Sequence, residues 1–188
     1  RLLEDKSVTA IHVLARRAIG RSSEKLAVHV VDFTAPGPLP PVDEVYLALG
    51  TTIKTAGSQA AFRAVDFDAN LAVARAALEA GAKRVGLVSA MGADAKARVF
   101  YSRVKGELED ALRALPFDAV VIARPSLLVG DRAAIGQPVR IGEAVGETVA
   151  RLLGPLVPRN YRPIDAGAVA QALLSTLPLA HGHEVLLS

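Results

Sequence analysis

Tyr101 and Lys105 stand four residues apart in FYSRVKGELEDAL, a stretch with helical patterning. On a helix this spacing puts both side chains on one face. An ammonium beside a phenol favours the phenolate and lowers its pKa. A tyrosine so tuned can pass a proton to or from a carbonyl or alcohol oxygen near neutral pH, while the lysine hydrogen-bonds a ribose. The spacing alone is weak, because Tyr-x-x-x-Lys recurs on many solvated helices. Its position adds weight: it follows an apolar run that ends at Ser89.

Such a pair works only if strands and helices carry it to one edge of a sheet. Apolar runs read as strands at 10–15 (AIHVLA), 25–33 (KLAVHVVDF), 44–50 (EVYLALG), 84–90 (RVGLVSA) and 119–125 (AVVIARP), with EVLLS as a final strand. Helical patterning covers 61–81, ending at Gly81 as a left-handed stop, then 101–115 before Pro116, then 143–153 and 167–177. PGPLPP at 36–41 is a rigid break. The alternation predicts an α/β fold: a doubly wound parallel sheet with right-handed crossovers, in three α/β/α layers. Residues 1–188 are expected to form one domain, with a small helical portion at 133–188. Ligands of such sheets bind beyond the carboxyl ends of the strands. The residues to test are therefore Arg16, Arg17, Asp32, Gly50 to Thr52, Ser89 and Arg124 to Ser126. A nucleotide-binding sheet should open with a strand, a Gly-rich turn and a helix, yet no G-x-G-x-x-G occurs. A strand, that loop and most of a helix are expected to precede Arg1 in the natural protein.

Composition bounds the chemistry. Of the 188 residues, 51% are hydrophobic but only 4% aromatic, so Ala, Val, Leu and Ile must build the core, as in helix-covered parallel sheets. Cysteine is absent, which removes disulfides and thiolate metal sites. His12, His29, His181 and His183 show no metal-ligand spacing beyond His181-x-His183, which reads as a turn, so no metal is expected. A net charge of +3 from scattered basic residues argues against nucleic acid. No run of about 18 apolar residues and no signal-peptide pattern is present, so no membrane role and a cytoplasmic setting are expected.

Five segments taken together resemble the short-chain dehydrogenase/reductase superfamily in its atypical or extended branch. They are LGTTIKTAGS (49–58), AVDFDANLAVARAALEAGAKR (64–84), LVSAMGAD (87–94), FYSRVKGELE (100–109) and IARPSLLVGDR (122–132). The likeness extends to NAD(P)-binding proteins described as sugar-nucleotide epimerases and to the Tat-interacting oxidoreductase type. It implies that Tyr101 and Lys105 are the catalytic pair. It lays Leu49, Gly50, Thr51 and Thr52 along the dinucleotide. Pro125, Ser126 and Leu127 would hold the nicotinamide amide by their backbone, and Asp32 with Phe33 would approach the adenine. Arg16 and Arg17 stand where an acid would bind a ribose 2′-hydroxyl. Arginine's planar fork suits a 2′-phosphate instead, so NADP(H) is expected rather than NAD(H).

One departure concerns the chemistry. The superfamily's catalytic serine is commonly the second of a Ser-Ser pair, and here the pair reads Ser89-Ala90. Ser89 is then the substitute oxygen donor, with Thr51 or Thr52 as other sources of a hydroxyl. Asp66 and Asp68 read as carboxylates suited to the start of a helix. Asp94 and Lys96 read as a polar loop with a capping acid. Asn70 could support the lysine, and Tyr161 could face the substrate or pack a loop. The leading expectation is an NADP-dependent oxidoreductase passing hydride to or from a small carbonyl or alcohol, a small-molecule enzyme for which a homodimer is compatible. The rivals are a non-catalytic module that senses the dinucleotide or docks a partner, and a sugar-nucleotide epimerase. The short segment after Arg132 counts against the epimerase.

Overall fold

The computed structural model describes residues 1–126, 128–129 and 163–187. The helix expected at 143–153, Leu127 and Tyr161 lie outside them. Four strands form a parallel sheet: β3 (Glu44–Leu47), β4 (Arg84–Val88), β5 (Ala119–Arg124) and β8 (Gly182–Leu187), in that order. β1 (Ile11–Ala15) and β2 (Leu26–Val30) pair in parallel as a second sheet. β6 (Leu128–Val129) and β7 (Ile164–Asp165) form a third, short one. His183 lies inside β8 and not in a turn.

β5, AVVIAR, is the most buried strand, and the two-residue period of its side chains serves both faces of the sheet. Val120 and Ile122 join Val85, Leu87, Val73, Leu108 and Leu112 in one core. Ala119, Val121 and Ala123 join Val169, Leu173 and Leu177 in the other. The first core is covered by α3 (Asn70–Glu79) and α4 (Phe100–Arg113), the second by α5 (Ala166–Thr176). This is the three-layer α/β/α arrangement that the alternation predicts. Each fully buried Leu contributes roughly 1.5–3 kcal/mol.

The helix expected at 61–81 is built from three parts. α2 (Gln59–Arg63) begins at Ser58, whose hydroxyl accepts from Ala61 N, and Ala64–Ala69 follow as a π-helical turn before α3. The short helix α1 (Ile53–Ala56) precedes them, capped by Thr52. α3 stops where expected: Gly81 takes φ +102°, a left-handed conformation that only glycine adopts without strain.

The crossover from β1 to β2 carries no helix. On that pair His12 Nδ1 lies 3.0 Å from His29 Nε2, so one ring donates to the other.

Candidate functional site

The parallel register brings the ends of β3, β4 and β5 together. Leu47 pairs with Leu87, and Val88 with Ala123. Gly50 follows β3, Ser89 follows β4 and Pro125 follows β5, so all three sit at the carboxyl edge. The edge is closed by backbone bonds past the strands, Ser89 N to Ala123 O at 2.8 Å and Met91 N to Pro125 O at 2.9 Å.

α4 carries Tyr101 and Lys105 in its first half. Lys105 is buried, and its Nζ lies 2.7 Å from Asp66 Oδ1. Among the described residues Asp66 is its one polar partner. The other oxygen of Asp66 accepts from Thr51 N–H at 2.8 Å. Asp66 belongs to the π-helical turn and is fully buried. The expectation that it merely decorates a helix start is thus corrected: it binds the active-edge lysine. The exposed Asp68 keeps the surface reading.

Asn70 is also fully buried, but its amide donates to the carbonyls of Leu49, Val65 and Asp66. It braces the π-helical turn and the end of β3. The direct ionic partner of Lys105 is Asp66, while the Asn70 side-chain oxygen is buried without a hydrogen-bond partner among the described residues.

Tyr101 packs against Phe62, ring centroids 5.5 Å apart. Burial pushes its phenol pKa up, and the Asp66 charge pushes the same way. The expected lowering by Lys105 is therefore corrected. The ammonium is matched by a carboxylate 2.7 Å away, so the phenol does not face an unopposed cation.

Ser89 turns its hydroxyl away from this pair and donates to Glu109 Oε1 at 2.6 Å. Glu109 is fully buried and also receives Arg124 (Nε to Oε1 3.0 Å, Nη2 to Oε2 2.6 Å) and Arg113 Nη2 at 3.1 Å. Hydrogen bonding to Glu109 raises the Arg124 guanidinium further above its usual range. This knot ties α4 to the ends of β4 and β5.

The remaining candidates divide by place. Gly50 is exposed, and a Cβ there would lie 3.4 Å from Asp66 Oδ1 and 3.8 Å from Lys105 Nζ. A side chain there would lie in contact with the pair. Thr52 caps α1, its hydroxyl accepting from Thr55 N at 3.1 Å. Leu49 and Phe33 pack on the first core. Asp32 accepts from Thr34 N and Oγ1, which holds its pKa below the usual carboxylate range, backbone bond first. Arg16 and Arg17, just past β1, are exposed and make no ion pair among the described residues. Ser126 follows Pro125 at the edge. Asp94 accepts from Lys96 N, so it caps its own loop and not α4, whose N-cap Val99 makes no side-chain bond.

Asp66 and Glu109 are what sequence reasoning missed, and a signal existed. Phe62, Asp66, Ala69 and Val73 recur at helical spacing and are all buried, so Asp66 is an acid inside an apolar stripe. Glu109 sits likewise between Leu108 and Leu112.

Lys105 carries three N–H donors, and among the described residues its ammonium is paired with Asp66 alone.

No family model matches the chain. Curated relatives are close: the mitochondrial protein fmp52 of Emericella nidulans is 37% identical over 163 residues, covering 81% of this chain and 68% of the relative. The mitochondrial protein FMP52 of Eremothecium gossypii is 37% identical over 160 residues, covering 84% and 69%. The mitochondrial designation of these relatives overturns the expectation of a cytoplasmic protein. Among solved structures, Bordetella bronchiseptica WbmG in complex with NAD and UDP aligns with a TM-score of 0.59 at 18% identity, over 95% of this chain and 64% of that one. UDP-glucose 4-epimerase with UDP-glucose from Thermotoga maritima gives 0.62 at 12%, over 95% and 69%. RMD from Pseudomonas aeruginosa complexed with NADPH gives 0.58 at 17%, over 89% and 70%. The chain thus spans about two thirds of the length of these proteins, and the structures establish the Rossmann fold.

Proposed function

Since the chain belongs to the FMP52 family, we propose that it is a mitochondrial, nicotinamide dinucleotide-binding oxidoreductase that acts on a small carbonyl or alcohol, with NADP(H) preferred. The observation that carries this is the meeting of Tyr101 and Lys105 with Asp66 beside the open Gly50, at the carboxyl edge of a Rossmann sheet. When bound, the dinucleotide supplies or accepts hydride. Lys105 would bind its ribose through the donors that Asp66 leaves over. Tyr101, its phenol kept protonated at neutral pH by burial and by Asp66, would give a proton to the carbonyl oxygen. Arg16 and Arg17, exposed past β1, would meet a 2′-phosphate.

A second reading has one observation in its favour. Ser89 gives its hydroxyl to Glu109, so the substitute serine is not free to polarise a carbonyl oxygen. A dinucleotide-sensing module without turnover would tolerate that loss.

The test is a fluorescence titration of the full-length protein with NADPH and NADH, followed by a screen of small aldehydes and ketones. Losing the bonds to a 2′-phosphate costs about 1.5–3 kcal/mol, or roughly tenfold or more in affinity. NADPH should bind at least that much tighter than NADH, and changing Arg16 and Arg17 to Ala should erase the difference. Equal wild-type affinities refute the NADP(H) preference, and no binding refutes the dinucleotide. Tyr101→Phe should abolish turnover while leaving NADPH affinity intact. Dinucleotide binding with no turnover in any variant selects the sensing module.

A further inference from the structure

We infer that Asp66 is a positioning residue of this site, holding the Lys105 ammonium on one carboxylate oxygen and the Thr51 backbone on the other. The inference rests on the dinucleotide reading for what the lysine is positioned to bind, and on geometry for the rest. Three observations bear on it independently.

The first is the bonding. Asp66 Oδ1 lies 2.7 Å from Lys105 Nζ and Oδ2 accepts from Thr51 N at 2.8 Å. One carboxylate thus ties α4 to the loop after β3, the two walls between which a dinucleotide would lie. The second is the backbone. Asp66 stands in a π-helical turn between two α-helical pieces. Such turns are rare and concentrate at functional sites, because the extra residue leaves carbonyls to be satisfied otherwise. Asn70 does this here by donating to Val65 O and Asp66 O. The third is burial. Asp66 is fully buried and Lys105 nearly so. A buried ion pair adds little net stability over an apolar pair of the same shape. Stability alone therefore gives no reason to keep two charges here.

The lysine's aim is what the pair secures. A lysine has four rotatable bonds, and unpaired it would swing or lose its charge in this buried place. The Asp66 carboxylate holds the ammonium at 2.7 Å and leaves its N–H donors to ligand. By standing close to Tyr101, the same carboxylate biases the phenol toward its protonated form.

The test reads the phenol directly. Tyrosinate absorbance is recorded immediately after jumps to high pH, before the chain unfolds. Subtracting the Tyr101→Phe trace isolates the Tyr101 signal. Asp66→Asn should shift the Tyr101 midpoint to lower pH, since it removes the carboxylate and leaves the Lys105 charge. Lys105→Met should shift it the other way. In a wild type that binds NADPH, an affinity unchanged in folded Asp66→Asn overturns the inference, because an acid that did not position the lysine would leave that affinity alone. Should Asp66→Asn fail to fold, Asp66→Ser decides by the same titration: weakened NADPH binding supports the role, and wild-type affinity overturns it. NADPH titration of the same proteins separates this from the dinucleotide reading. Asp66→Asn should weaken NADPH at least tenfold, because the lysine loses its aim. A shifted phenol in a wild type that binds no dinucleotide overturns the dinucleotide reading and leaves Asp66 bound to the lysine. Equal NADPH binding by wild type and by folded Asp66→Asn overturns Asp66 alone.

Discussion

Gly106→Ala should destabilise the protein although alanine is the better helix former. Gly106 lies inside α4, where glycine costs about 0.5–1 kcal/mol against alanine through lost backbone freedom. On an open helix the substitution would stabilise by that amount. Here a Cβ at position 106 would come within 2.6 Å of Asp94 Cα, and closer still to the Asp94 carbonyl carbon and the Ala95 amide nitrogen. The obstacle is main chain, which cannot rotate aside as a side chain can. That main chain is also tied down: Asp94 N donates to Ser102 O at 3.1 Å, and Ala97 N to Asp94 O at 2.9 Å. Overpacking of this kind costs about 1–3 kcal/mol, and a strained hydrogen bond adds roughly 1 kcal/mol. Against a gain of at most about 1 kcal/mol, the net loss is about 1–3 kcal/mol. For a chain of this size each kcal/mol moves Tm by roughly 2–4 °C, so a fall of roughly 2–12 °C is expected. Thermal melts followed by circular dichroism, at one concentration and neutral pH, measure it. A Tm equal to or above wild type would mean that the 92–95 loop does not pack on α4 as described.

Ser89→Ala should lower Tm by a few degrees, since a hydrogen bond to a charged group is worth about 1.5–3 kcal/mol and Glu109 loses one of its partners. It should leave NADPH affinity and any turnover unchanged; a selective loss of turnover would return Ser89 to the role of oxygen donor. Stability should also fall at high pH through Tyr101 and Tyr46, whose phenols are raised above the usual 10.0 by burial first, with Asp66 adding for Tyr101 and Glu44 for Tyr46. The unfolded chain releases these protons first, so their contribution is complete below pH 10.0 and is lost as pH rises toward the folded values. Urea midpoints taken from neutral pH upward should fall past that point, and less steeply in Tyr101→Phe; an identical slope in the variant would contradict the raised phenol.

Much of the fold was legible because its signals are local. The strand runs, the stop at Gly81 and the carboxyl-edge placement of Gly50, Ser89 and Pro125 follow from apolar period, glycine conformation and βα order. The contacts of the site were less legible, because they depend on how two helices meet on one face of the sheet. Lys105 faces Asp66 at a sequence separation that no periodicity encodes. Ser89 faces Glu109 because α4 lies over the end of β4. The His12–His29 contact likewise needs the register of β1 against β2, in which Leu14 pairs with His29.

The π-helical turn explains why Asp66 was the hardest residue to assign. A regular helix through 61–81 advances 100° per residue, and its first-turn acids then read as partners of the macrodipole. Adding a residue to one turn rotates α3 against α2, so Phe62, Asp66, Ala69 and Asn70 can all be buried together. Burial turns a carboxylate from a surface ornament into a group that must have a partner. Lys105 and the Thr51 N–H provide that partnership, one from α4 and one from the loop after β3. An acid on the apolar stripe of a helix is therefore the sequence mark of this contact. Read with a lysine on the neighbouring helix, it marks the two charges as a pair at the carboxyl edge of the sheet.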